Sequence, residues 1–303
     1  MKVGVGIPVR SWPDNRSLSA SEMVEFSVAA DELGYDSVFA IDHFAVDGFN
    51  ADLDTIAGPD PFILLAYAAA RTQRVQLGTM VACAPFRMPG QVAREARALA
   101  ELSHGRFVLA IGSGSRPIEL SANGLAVDHL TSRFEEYVEI LVRLLNDERV
   151  DFDGAYFQAH GLQALGGARP ILWIAASGPR SMRLAARFGD GWSGARDDYA
   201  KQLALLRREE AAAGRAPGSV VASNRAQVLF MDQAEWKRIE SAGPELSERV
   251  VVGGPEELIA LADELRAGGC QHLILHFAGA RWSNFSVRQL ETAAPHLSRL
   301  RGA

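Results

Sequence analysis

Residues Asp36 to Phe44 read DSVFAIDHF, and this stretch decides the fold: a short apolar run, Val38 to Ile41, stops at an acid, a histidine and an aromatic. An unbroken apolar run suits a strand covered on both faces, as in a parallel sheet. In parallel α/β architectures chemistry sits at the carboxyl ends of the strands. Asp42 and His43 therefore stand where functional side chains are expected. A purely structural Asp-His pair is the competing explanation, and the rest of the chain decides between them.

Working outward, the chain repeats one unit. Val3 to Ile7 forms a first strand and Pro8 to Leu18 a polar loop. Ser19 and Glu22 then make a capping box, Met23, Phe26, Ala30 and Leu33 recur at helical spacing, and Gly34 supplies a stop. Strand, helix and strand in this order predict a right-handed parallel crossover. Asp60 and Pro61 open a helix to Arg71, and Val75 to Cys83 is a third strand. A helix from Pro89 to Gly105 precedes a fourth strand, Arg106 to Gly112. A long amphipathic helix, Thr131 to Asn146, leads to a small hairpin over Val150 to Gln158 around Asp153-Gly154.

Ile171 to Ala176, Gly191 to Gly194, Val220 to Met231 and His272 to Phe277 supply four more strands. Helices are expected after Gly178, from an Asp197 cap to Ala213, from Pro255 to Ala267 and from Val287 to Leu300, with an irregular segment over Asp232 to Arg249. Eight strands alternating with helices and no intervening linker predict one α/β domain over residues 1–303, a (β/α)8 TIM barrel with loop insertions.

Composition narrows the function classes. The chain is 48% hydrophobic and 22% charged, which fits a globular protein with a sizeable core. A net charge of −6 argues against nucleic acid, and the cations are arginines apart from Lys2, Lys201 and Lys237. Cys83 and Cys270 are too few for a disulfide framework and form no C-x-x-C motif. No apolar run suggests a signal peptide or membrane span, so a cytoplasmic protein is expected.

The strand ends define the candidate site. Asp42, His43 and Phe44 follow the second strand, Cys83 and Pro85 the third, and Ser113, Gly114 and Ser115 the fourth. Gly112-Ser113-Gly114 is no dinucleotide fingerprint, since Pro117 occupies the third glycine position. Ser177-Gly178-Pro179-Arg180-Ser181 joins a strand end to a helix start, where free N–H groups and the positive dipole end make an anion cradle. Arg180 can add a charge-assisted contact there. His43 can pass a proton near neutral pH, given a pKa of about 6.5. His272 and His276 share one face of a strand with no carboxylate at metal-ligand spacing, so packing is expected of them, and no metal. His104 reads as a helix terminus.

Four blocks carry a resemblance: AADELGYDSVFAIDHF; RVQLGTMV followed by ALAELSHGRFVLAIGSGS; PILWIAASGPRSMRLAARFGDGWSG; and VVGGPEELIALADELRAGG. In this order they resemble the bacterial luciferase-like oxidoreductases, and more closely their coenzyme F420-dependent branch. The resemblance implies a deazaflavin across the barrel mouth, contacted by Asp42, with His43 as proton donor and a non-proline cis peptide at Met80-Val81 behind the ring. Cys83, Ser113 and Gly114 would line the ring site, and Ser177, Gly178, Arg180 and Ser181 would hold the phosphate tail. It also implies a small-molecule substrate and a homodimer. Relatives acting on glucose 6-phosphate carry a glutamate where this chain has Ser115, which argues against that substrate. Glu119 is the nearest acid and could reach the site from its loop, although an acid on a loop is more often simply solvated. Two other readings stay open: an FMN-dependent two-component monooxygenase using molecular oxygen, and a flavin-binding barrel without turnover.

Overall fold

A computed structural model describes residues 1–9, 17–44, 57–164, 166–195, 198–230, 250–277 and 287–302. The strands are β1 (Lys2–Gly6), β2 (Ser37–Ala40), β3 (Gln76–Thr79), β4 (Ala82–Cys83), β5 (Phe107–Gly112), β6 (Val150–Asp153), β7 (Gln158–Leu162), β8 (Ile171–Ala175), β9 (Gly191–Ala195), β10 (Val221–Phe230), β11 (Val250–Gly253) and β12 (His272–Phe277). The α-helices are α1 (Ala20–Glu32), α2 (Pro61–Arg71), α3 (Pro89–Leu102), α4 (Pro117–Ala122), α5 (Leu130–Leu145), α6 (Pro179–Phe188), α7 (Tyr199–Ala212), α8 (Pro255–Ala267), α9 (Val287–Ala293) and α10 (Leu297–Arg301).

Eight parallel strands close into a barrel in the order β1, β2, β3, β5, β8, β9, β10, β12, with β12 pairing back onto β1. The short β4 continues beside β5, β11 adds to β10, and β6 and β7 form a separate antiparallel hairpin. The expected (β/α)8 barrel is therefore present, with β11 added to it as a strand that was not expected.

Local signals explain the helix starts. Ser19 and Glu22 form the expected capping box, and Asp60 accepts from the Phe62 and Ile63 N–H groups ahead of Pro61 at N1. Four details differ from expectation. The third strand is split by a cis peptide between Met80 and Val81, the bond expected from the resemblance. Residues 117–122, expected as loop, form α4. The last helix breaks into α9, a 3₁₀ turn at Ala294–His296 and α10, because Pro295 has no N–H to continue the ladder. A strand, β11, follows the irregular segment, of which residues 232–249 lie outside the described residues. So do Asp197 and most of the loops at 10–16, 45–56 and 278–286.

The core has two layers. The larger lies between barrel and helices; the smaller fills the lumen with Phe39, Met80, Val108, Ala110, Trp173 and Ile274. Bulk and absence of bulk alternate across the lumen: a methyl on Gly78 would collide with the Phe39 ring, and one on Gly191 with the Trp173 ring. Below them Ser37 Oγ and His272 Nε2 lie 2.7 Å apart, and burial pushes the His272 pKa down to about 3. That histidine is a neutral packing residue, as expected.

Asp31 ties α1 to the turn before β3. Its carboxylate accepts from the backbone N–H groups of Gln73, Arg74 and Val75 at 2.9, 2.9 and 2.7 Å. Burial works to raise its pKa, but these bonds and the Arg74 charge outweigh it and hold the carboxyl below its usual value. Its stabilisation is thus present above the ordinary carboxylate pKa and is lost as pH falls through the lower folded value. Asp31→Ala should destabilise the protein by about 2 kcal/mol in urea unfolding at pH 7, with the gap to wild type closing below about pH 4.

Candidate active site

The end of β2 divides its two polar residues between different tasks. Asp42 is 6% exposed, and its oxygens accept from the Cys83 N–H at 2.9 Å and the Arg87 guanidinium at 2.6 and 3.3 Å. Arg87 also binds Asp60, the N-cap of α2, at 2.6 Å, and lies over the Phe62 ring. One guanidinium therefore joins β2, α2 and the segment after β4. Burial opposes its charge, but the two carboxylates raise its pKa above the ordinary arginine value. Asp42 is a strut holding the mouth together, and any contact with a ligand comes from beside these bonds.

His43 is the exposed member, half-buried at the mouth. Its Nδ1 lies 3.0 Å from Glu119 Oε2, and the other Glu119 oxygen accepts the Phe44 N–H. Glu119 is only 3% exposed. The expectation of a solvated loop acid is overturned: α4 turns this side chain inward, into the first turn of a helix beneath the β2 end. A carboxylate at Nδ1 holds a proton there and leaves exchange to Nε2.

Cys83 stands beside both acids. Burial pushes its thiol up to about 12, with Asp42 and Glu119 adding to the effect, so it lines the site as a neutral group. Gly114 has a φ of +82°, and a Cβ there would lie 3.3 Å from Cys83 Sγ, so a side chain would be strained in both respects. Ser113 forms part of a 140 Å³ cavity with Pro85, Phe134, Tyr137 and Phe157. Val81 reaches across toward Gly112, where an added Cβ would lie 2.9 Å from Val81 Cγ2. Met80, Val81 and Gly112 thus make an apolar floor at the mouth.

At the end of β8, Gly178 is the N-cap of α6, and an added Cβ there would meet open space. Ser181 Oγ donates to the Gly178 carbonyl at 3.1 Å. Arg180 points elsewhere than expected: its guanidinium pairs with Glu135 and donates to Ser132 Oγ at 2.9 Å, both on α5. Of the residues expected to form a cradle, Arg180 is therefore turned away, and the backbone N–H groups of the α6 start remain with Ser177 and Ser181 beside them. Among the described residues, no cluster of three or more His, Cys, Asp or Glu could hold a metal, and no helix is long and apolar enough to cross a membrane.

Comparison with known proteins agrees with the residue blocks. The model of the luciferase-like monooxygenase family matches residues 1–242. The chain belongs to this family. Among curated luciferase-like relatives, an F420-dependent glucose-6-phosphate dehydrogenase of Kineococcus radiotolerans is 32% identical over 267 residues, 80% of this chain and 76% of that protein. The enzyme of the same name from Intrasporangium calvum is 39% identical over 196 residues, 60% of this chain; the match spans only 57% of that relative's length. A solved F420-dependent secondary alcohol dehydrogenase, in complex with an F420–acetone adduct, superposes with a TM-score of 0.83 at 18% identity, over 99% of both chains. That likeness concerns the barrel itself.

Sequence reasoning missed Arg87 and misjudged Glu119. Their partners lie 45 and 76 residues away, beyond any local pattern. Replacing Arg87 by Ala leaves Asp42 and Asp60 without their cation, and should cost about 3 kcal/mol of stability, read from the urea midpoint at constant m-value.

Proposed function

We propose that this luciferase-like barrel is a coenzyme F420-dependent oxidoreductase that moves a hydride between the deazaflavin and a small organic alcohol or its carbonyl counterpart. The observation that carries this reading is the His43–Glu119 pair at 3.0 Å, on the mouth side of β2. The similarity to enzymes named as F420-dependent dehydrogenases supports the choice of cofactor.

The residues fit such a group. The N-terminus of α6 offers N–H donors to a phosphate, with no side chain at Gly178 to obstruct approach. Met80, Val81 and Gly112 offer an apolar surface to a flat ring, and Cys83, Ser113 and Gly114 border it. When bound, the deazaflavin supplies or accepts a hydride. His43 gives the matching proton to the substrate oxygen, or takes it, through Nε2. Glu119 holds Nδ1 and stabilises the imidazolium while the proton is in transit. Asp42, fixed by Arg87 and the Cys83 N–H, positions the adjacent His43.

Ser115 argues against carrying glucose 6-phosphate over from the relatives, since it replaces the glutamate noted in that subgroup. A homodimer belongs to the same reading and rests on the family resemblance; a reducing, cytoplasmic setting rests on the two lone cysteines. An FMN-dependent monooxygenase is the second reading, favoured by the family's own description.

Titration with reduced F420 and reduced FMN separates the two. We expect micromolar or tighter binding of F420 and none of FMN at the same concentrations; the converse would sink the first reading. The His43→Ala protein should bind F420 as wild type does while turnover falls about 10²- to 10⁴-fold. Undiminished turnover would remove His43 from the reaction.

A further inference from the structure

The lumen of the barrel carries a cation that the hydride-transfer chemistry does not use. Along β10, Ala222, Ala226 and Val228 pack outward among the helices, while Val221 packs against the lumen cluster. Side chains alternate along a strand, so Ser223, Arg225 and Gln227 face inward. The same parity holds on β12: Leu273, Leu275 and Phe277 are outward and Ile274 is in the lumen, so His276 faces inward. In the β10–β12 register Arg225 stands opposite Ile274, and Gln227 opposite His276.

Arg225 is exposed to solvent, yet desolvation by the surrounding protein lowers its pKa. Among the described residues no carboxylate acts on it, unlike Arg87 or Arg180, each of which is held by acids. His276 lies over Gly6, where an added methyl would collide with its ring. Its Nε2 is buried without a hydrogen-bond partner. Burial, and after it the Arg225 charge, push the His276 pKa down to about 3, so the ring is neutral and has one N–H to donate.

A guanidinium that solvent reaches, with no acid beside it among the described residues and an unsatisfied imidazole on the neighbouring strand, leaves donors open to an anion. We propose that Arg225 and His276 form an anion subsite in the barrel mouth, which binds a carboxylate or phosphate group carried by the substrate. The guanidinium fork matches either oxyanion with two parallel N–H donors. Only β1 lies between β12, which carries His276, and β2, so a substrate anchored here extends across the mouth toward His43. As a statement about substrate it rests on the hydride-transfer reading; the anion site itself does not.

The test uses the full chain without cofactor, titrated calorimetrically with inorganic phosphate and with acetate. At least one should bind, and Arg225→Gln should weaken that binding about 10- to 100-fold, with Arg225→Lys intermediate. The anion that depends on Arg225 identifies the substrate's group. The α6 N-terminus also attracts anions, so phenylglyoxal labelling of Arg225 in the wild-type protein, mapped by mass spectrometry, reports on the lumen alone and needs no variant to fold. Phosphate or acetate should suppress it where chloride at equal ionic strength does not. Labelling indifferent to both anions, or equal binding by wild type and Arg225→Gln, overturns the subsite. If Arg225→Gln weakens reduced F420 but neither anion, the guanidinium serves the cofactor and the proposal fails. Loss of F420 binding by the wild-type protein, with anion binding intact, would instead refute the functional reading and leave the subsite standing.

Discussion

The mouth of this barrel depends on one buried cation shared by two carboxylates. Arg87 draws Asp42 at the end of β2 toward Asp60 at the start of α2, and both lie against the segment that follows the interrupted third strand. A guanidinium this far out of water is retained only with its hydrogen bonds satisfied. Here the two acids and the Phe62 face satisfy it. Because Asp42 is committed to this clamp, the next residue is displayed at a fixed place. His43 owes its position to a bond that it does not itself make.

The second acid, Glu119, completes the arrangement from the opposite side. Its two oxygens serve His43 Nδ1 and the Phe44 N–H, so one carboxylate fixes both the imidazole and the backbone behind it. A short helix that would be marginal alone is anchored by burying this side chain. Structure and chemistry are supplied by the same contact.

The lumen repeats this contrast between satisfied and unsatisfied groups. His272 and His276 lie on the same inward face of β12, and burial depresses both. His272 meets Ser37 Oγ and closes the bottom of the barrel; His276 has no partner for Nε2 and stands diagonally across from an arginine that no acid neutralises among the described residues. Identical side chains four residues apart thus have different meanings, set by what the neighbouring strands bring to them. Glycines at positions 78 and 191 make room for Phe39 and Trp173, so the apolar plug beneath is full. The polar end above it is left for ligands.

The sequence by itself determined whatever depends on neighbours along the chain. The Ser19–Glu22 box, the Asp60-Pro61 start, the apolar strands and their alternation with helices are signals spanning a few residues, and together they specify the barrel and direct Asp42 and His43 to its mouth. Only the tertiary structure decided which residues meet. Arg87 reaches Asp42, Glu119 turns inward to His43, Arg180 leaves the anion cradle for Glu135, and Arg225 stands without a counter-charge among the described residues. These outcomes follow from closing the sheet, which brings together side chains that local sequence patterns do not relate. Burial then sets the value of each contact, since a charge taken out of water costs far more to leave unpaired than the same charge on a helix surface.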